Sequence, residues 1–290
     1  VQELLQYIAN GLMVGGIYAL IALGIVLVYK STSIFNFIIG QMMMFGAFFF
    51  WMFAQQFNWP IWLSLLAALA ASAGVGLLVE RLTLRPLIGQ PLLSSVLVTL
   101  AMAYLLNGIA MGIWGAYQQR LPDFLPGARV VVGGIVFAHD LLWSFGLAMV
   151  VFVLLLLFYQ RTRAGLAMRA TADSHQIAQA RGIDVRRIFA LSWALCGVIA
   201  GIGGMLLAYR LGVSQFLSLV GLKAFPAVLF GGLDSVLGAL VGGLTVGILE
   251  NLAGGLIDPW MSEITPYIIL LLVLIIKPDG LFGVKRIERI

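Results

Sequence analysis

Eight predominantly apolar stretches recur along the chain, at residues 8–29, 34–54, 61–79, 92–114, 141–159, 188–209, 236–253 and 260–276. A helix needs about 20 such residues to cross the hydrocarbon core of a bilayer, so each stretch is close to a full span. In lipid every backbone N–H and C=O must be bonded internally, and a helix does this within one segment. The expected fold is therefore all-α, a polytopic bundle of membrane helices forming a single domain over 1–290. Composition agrees: 62% of residues are hydrophobic and 10% charged, against about 25% charged in ordinary globular domains. The first basic residue, Lys30, follows the first apolar run, whereas a signal peptide carries its positive charge in front. That run is expected to remain as a span.

A ninth segment, "VSQFLSLVGLKAFPAVLFGG" at 213–232, is long enough but contains Lys223 and Pro226. Such a break is tolerated at membrane depth only where protein or a water-filled cavity covers the freed backbone groups. Basic residues gather beside alternate span ends: Lys30, then Arg81 and Arg85, then the six arginines of 161–187, then Lys277, Lys285, Arg286 and Arg289. By the positive-inside rule these are cytoplasmic. For the last two clusters to share a side, the broken segment has to count as a crossing. The expectation is eight full spans plus one broken or re-entrant segment, with the N-terminus periplasmic and the C-terminus cytoplasmic in a bacterial inner membrane. The loop at 115–140 then faces the periplasm.

The stretch "RTRAGLAMRATADSHQIAQARGIDVRR" (161–187) is the one long polar island. Asp173 followed by Gln176 suits a helix N-cap with its capping-box partner, and Ile177 would be the first apolar contact. Gly182 fits the left-handed position after the last turn. A helix over 174–181 results, about 12 Å long, too short to stand alone. It must dock on its own spans or on another protein. The arginines follow in part from the positive-inside rule and from snorkelling beside headgroups. Arg169 and Asp173, four apart, could form an exposed ion pair of about 0.3–0.5 kcal/mol. The small residues Ala172, Ala178 and Ala180 would let a partner come close.

Motifs for chemistry are missing. The sequence contains no G-x-x-x-x-G-K-[ST] loop to cradle a nucleotide, no G-x-S-x-G elbow and no histidine pair at metal spacing. His139 and His175 fall on opposite sides in this topology, and the single cysteine, Cys196, lies in an apolar run. Catalysis and metal binding are not expected. Glycine pairs at small-xxx-small spacing, Gly11/Gly15, Gly197/Gly201, Gly238/Gly242 and Gly243/Gly247, let helix backbones meet closely in lipid; Gly231 and Gly232 are placed to act as hinges. A charge at membrane depth costs about 2.5–3.5 kcal/mol even on the mildest scale. Lys223 therefore either pairs with Asp234 or Glu250, faces water, or snorkels to an interface. Candidate path residues are Asn36, Gln41, Thr99, Asn107, Lys223, Glu250 and Asn251. A proton-coupled transporter is the alternative class, with Glu250 as its titrating carboxylate.

The strings "GLMVGGIYALIALGIVLVYKSTSIFNFIIGQMMMFGA" (11–47), "VERLTLRPL" (79–87), "RAGLAMRATADSHQIAQARGIDVRRI" (163–188), "LKAFPAVLFGGLDSVLGALVGGLTVGILEN" (222–251) and "KPDGLFG" (277–283) resemble branched-chain amino-acid ABC importer permeases of the LivH type. The resemblance runs in order from about residue 5 to 283. It implies a transport subunit for branched-chain or other hydrophobic amino acids, whose coupling helix sits in a groove of a separate ATPase. Gly165, Arg169, Ala170, Asp173, Gln176, Ala178 and Gly182 would form that coupling element. The implied partners are a related LivM-type permease chain, two cytoplasmic ATPase subunits holding the ATP and Mg, a periplasmic binding protein and membrane lipid. This chain would bind no cofactor and no nucleic acid.

Overall fold

Every apolar run of the sequence forms helix in the computed structural model, which describes residues 2–87, 92–126, 129–132 and 135–283. The described residues hold twelve α-helices: α1 Gln2–Thr32, α2 Ile39–Trp51, α3 Ile61–Val79, α4 Leu92–Trp114, α5 His139–Arg161, α6 Arg163–Asp173, α7 His175–Ala180, α8 Val185–Leu211, α9 Phe216–Leu222, α10 Ala224–Gly231, α11 Val236–Leu256 and α12 Met261–Ile276. Single π-helical turns, Met52–Gln56 and Glu80–Leu84, extend α2 and α3.

Among the described residues six helices are long and apolar enough to cross a membrane, where the sequence suggests eight full spans. The run at 34–54 starts late, because Ser33 takes a left-handed backbone (φ 56°) and the chain stays non-helical to residue 38. The final run yields a helix of 16 residues. The segment at 213–232 is broken as expected: α9 ends at Leu222, and Lys223 is the N-cap of α10. Pro226 has no N–H to bond the previous turn, and its ring would strike the carbonyl four residues back. The all-α expectation also needs one addition. Within the loop at 115–140, β1 (Arg129–Val132) and β2 (Ile135–Ala138) pair antiparallel, Arg129 opposite Ala138.

Two compact units divide the chain. One comprises Val1–Val26, Leu125–Phe152 and Lys223–Ile290. Its centre is a backbone-on-backbone crossing of α1 and α11. A Cβ added at Gly11 would lie 2.6 Å from the Ile248 Cα, and one at Gly15 would lie 2.8 Å from the Gly243 carbonyl oxygen. Two of the sequence's glycine pairs, Gly11/Gly15 and Gly243/Gly247, are thus each other's partner. Because lipid tails are as apolar as leucine, such close van der Waals contact replaces the hydrophobic drive between helices. Gly242 meets the Ala227 carbonyl of α10 in the same way, and Gly231 meets Gly238. The chain then turns at Gly232, whose φ of 104° only glycine adopts readily. At the start of α1, the Gln6 side chain brackets Val136 of β2, accepting from its N–H at 2.8 Å and donating to its carbonyl at 2.7 Å.

The second unit comprises Leu27–Phe124 and Val153–Leu222. Here α2, α3 and α8 pack through Gly46, Ser72 and Gly201, with Gly197 against the Ser72 carbonyl and Gly76 against that of Trp193. Gly40 of α2 rests on Ser218 of α9. Trp114, at the end of α4, stacks on Phe48 (4.8 Å between centroids) and meets Phe45 and Phe49 edge-on.

Candidate functional site

The polar island folds as two short helices rather than one. Thr162 caps α6 by accepting from the Gly165 N–H at 3.0 Å. Asp173, expected to cap the next helix, is instead the exposed last residue of α6. Ser174 takes the extended backbone that a cap requires (φ −162°, ψ 118°), and its hydroxyl accepts from the Ile177 N–H. The helix that follows, α7, is six residues long. Its end is as expected: Gly182 has a φ of 83°, and the Ile183 N–H returns to the Ala178 carbonyl at 3.0 Å.

Packing decides which way this helix faces. Ala178 is buried with Val185, Phe189 and Ile183, so α7 docks on the chain's own α8. Gln176 and Ile177 point outward, and Ile177, expected as an apolar contact, is 65% exposed. Leu166 of α6 is similarly bare. Arg169 does not pair with Asp173 among the described residues. Its guanidinium donates to the Tyr159 carbonyl and stacks 5.5 Å over that ring, so it ties α6 back to α5. Gly165 is buried because a Cβ there would meet the carbonyls of Phe158 and Tyr159. Ala170 accepts from the Ser174 N–H at the helix junction. An open cleft of about 420 Å³ lies alongside, lined by Gln179, Gly182, Ile183, Asp184, Val185 and Arg186.

A second constellation sits where α9 breaks from α10. Lys223, 4% exposed, donates to Glu250 Oε1 of α11 at 2.9 Å and to Glu263 Oε1 of α12 at 3.0 Å. The Tyr18 hydroxyl of α1 donates to the same Glu250 oxygen at 3.3 Å. Glu250 Oε2 is buried and has no partner among the described residues. Asp234, the other expected partner, makes no ion pair with Lys223 among the described residues. Asn251 spends its amide on the Gly247 carbonyl of its own helix, 3.0 Å away.

The remaining path candidates belong to the second unit. Asn36 is fully buried; its Oδ1 accepts from the Ile38 N–H and its Nδ2 lies 3.2 Å from Cys196 Sγ. Thr99 bonds the Val96 carbonyl of its own turn. Gln41 and Asn107 differ, because Gln41 Oε1 and Asn107 Oδ1 are buried without partners among the described residues. The structure thus places Asn36, Gln41, Thr99 and Asn107 in one unit and Lys223, Glu250 and Asn251 in the other.

Residues 7–274 match the model of the family described as branched-chain amino acid transport system / permease component. The chain belongs to this family. The permease is 31% identical to the high-affinity branched-chain amino acid transport system permease protein BraD of Pseudomonas aeruginosa, over 99% of this chain and 98% of that one. It is 29% identical to the corresponding LivH protein of Escherichia coli K12, over 99% and 97% of the two chains. A solved structure, PsaBC from Streptococcus pneumoniae in complex with Fab, covers 94% of this chain and 92% of its own at 12% identity and a TM-score of 0.49, too loose a likeness to bear on the fold.

In the permease, sequence reasoning missed Tyr18, Glu263 and Ser174. Tyr18 sits among apolar residues of the first run and Glu263 near the start of the last, so neither carries a local signal. Ser174 carries a signal of its own, since serine is as good an N-cap as the neighbouring aspartate.

Proposed function

We propose that this permease is the transmembrane subunit of an ATP-driven importer for branched-chain or other hydrophobic amino acids. The observation that carries the reading is the end-to-end likeness to BraD and LivH, whose names state that transport. Hydrolysis belongs to two cytoplasmic ATPase subunits that hold ATP and Mg, cargo arrives from a periplasmic binding protein, and a related LivM-type chain completes the pathway. The coupling element is α6–α7. What supports this is its outward face, where Leu166 and Ile177 are exposed apolar residues among polar neighbours. Gly165, Arg169 and Ala170 brace that face, Ala178 anchors it on α8, and Asp173, Gln176 and Gly182 lie on its exposed side.

The orientation follows from charge. With α9–α10 counted as one crossing, and α2 and α12 as short ones, nine crossings place Lys30, Arg81, Arg85, the 161–187 island and Lys277 on one side. That side is cytoplasmic and the N-terminus periplasmic. Lys223, Glu250 and Glu263 then lie in the outer half of the membrane, where they brace the broken segment beside the path.

The test is uptake of labelled leucine into proteoliposomes holding both permease chains and the ATPases, with binding protein outside and ATP inside. Uptake should require ATP and persist when the proton gradient is collapsed. Uptake that ran on a proton gradient without ATP would overturn the reading.

A further inference from the structure

A groove of about 290 Å³ with apolar walls runs along the end of α12. Ile269, Leu272, Val273 and Ile276 form one wall; they recur at three- and four-residue spacing and so share one face of the helix. Phe230 of α10 and Leu249 of α11 form the other. The turn that follows α12 closes the end and is fixed in place. There the Leu281 N–H donates to the Phe230 carbonyl at 2.8 Å and the Phe282 N–H to that of Gly231 at 3.0 Å. Gly280, with a φ of 77°, lies so near Gly232 that a Cβ would come within 2.5 Å of its nitrogen. The groove is thus built within the first unit, and it opens outward, since Leu272, Ile276 and Leu281 are exposed.

Its surroundings restrict what fills it. Beside a membrane helix the mobile material is hydrocarbon, and an unfilled concave surface forgoes the dispersion contacts of the atoms along it. At one end stands a charge. Lys277, the first residue after α12, lines the groove, and its Nζ donates to the Leu281 carbonyl at 3.1 Å. That uses one of the three ammonium donors. Among the described residues no carboxylate pairs with it. With 16 residues, α12 is about 24 Å long against a hydrocarbon core of about 30 Å. A short span is accommodated by local thinning of the bilayer and by a flanking lysine that reaches the headgroups. The stem of Lys277 therefore stays in the groove while its ammonium stands where phosphates begin. With Lys285, Arg286 and Arg289, which follow in sequence, the cations outnumber Asp279 and Glu288. An apolar trough that ends in an unpaired cation complements one component of a bilayer, an acyl chain carrying a phosphate.

We infer that this groove is a phospholipid site: one acyl chain lies between α10, α11 and α12, and the phosphate of an anionic headgroup meets Lys277. The site depends neither on the importer reading nor on which way the chain is inserted. A bound chain braces Phe230, and with it the second half of the broken segment, against α12.

Native mass spectrometry and thermal unfolding of the purified permease test this, with dioleoyl phosphatidylglycerol, dioleoyl phosphatidylcholine and glycerol 3-phosphate as probes. Phosphatidylglycerol should stay bound and raise the thermal midpoint more than phosphatidylcholine does. Glycerol 3-phosphate, which lacks the tails, should do neither. Val273→Trp fills the groove and should lose both effects. Leu271→Trp, at an exposed position of the same helix outside the groove, should keep them. One lysine near an anionic surface contributes a factor of about five, so Lys277→Gln should weaken retention of phosphatidylglycerol about fivefold and leave that of phosphatidylcholine unchanged. Because Lys277 is exposed, this variant reads the site even where the tryptophan disturbs folding. Unchanged retention of phosphatidylglycerol in Lys277→Gln, or in a folded Val273→Trp, would overturn the proposal. So would equal retention of the two lipids by the wild type. A dimer that Val273→Trp alone converts to monomer, with lipid retention unchanged, would give the groove to a second copy of the chain and overturn it as well.

Discussion

The Lys223 ammonium lies 2.9 Å from Glu250 Oε1, across a gap of 27 positions in sequence, and both side chains are more than nine-tenths buried. Burying such a pair is costly, and attraction between the charges returns the cost only while both partners stay in place. It holds α10 to α11 at the point where Pro226 prevents α9 from continuing. Glu263 joins from α12, but its side chain is 58% exposed.

Lys223→Met should therefore destabilise the permease strongly, by about 3–5 kcal/mol, because it strands a buried carboxylate. Glu250→Gln should cost less, because Lys223 keeps Glu263 at 3.0 Å. The double variant should be milder than the sum of the two, and Glu263→Gln should cost less than about 1 kcal/mol. Thermal unfolding in detergent checks this; additive losses would mean that the pair contributes no coupling.

Glycines that look alike in sequence should differ in tolerance. At Gly15 and Gly243 a new Cβ meets backbone of the opposing helix, whereas at Gly74 and Gly146 nothing lies within 4 Å. Gly243→Ala should lower stability by about 1–3 kcal/mol. Gly146→Ala, in an open helical position, should be neutral or stabilising by up to about 1 kcal/mol. Melting temperatures of the two variants, ranked the other way, would contradict the close crossing.

Side-specific labelling checks the orientation. With Cys196 replaced by alanine, single cysteines at Asp123 and Asp258 should react with an impermeant thiol reagent from the periplasmic side. One at Gln179 should react only after the membrane is opened. All three positions are exposed in the structure, so a lack of reaction reflects sidedness.

Breaking α7, the proposed coupling helix, should spare the spans. The Ala178 N–H bonds the Ser174 carbonyl at 3.0 Å, so Ala178→Pro loses that bond and costs about 3 kcal/mol locally. The variant should insert normally yet lose ATPase co-purification or ATP-driven uptake. Ser174→Ala should be a weaker version, about 1 kcal/mol; Asp173→Ala, no longer a cap, should be near neutral. An Ala178→Pro protein with full uptake would return the island to a loop that only orients the chain.

The all-α character was legible because lipid leaves the backbone little choice, but the number of full spans was not: among the described residues six helices are long enough to cross. Break positions were legible too, since Pro226 and Gly182 act through their own backbone. Which of two adjacent good caps would be used was not, because Asp173 and Ser174 differ only in where α6 happens to stop. Lys223 advertised its need for a partner, but a charge does not say which carboxylates tertiary packing will bring. Glu263 was unreadable for that reason, and so was the orphan state of Gln41 and Asn107: loss of a partner is a property of the neighbours.

The interlock of Gly11 and Gly15 with Gly243 and Gly247 also limits how this protein can move. Sliding α1 along α11 by even one residue, about 1.5 Å, would carry the clearance at these glycines out of register and drive backbone into the flanking Leu244 and Ile248. Shear between these two helices is blocked, as between meshed gear teeth. Any opening that involves α1 must carry α11 with it as a single rigid lever, and through Glu250 it pulls on Lys223 and the broken segment at the same time.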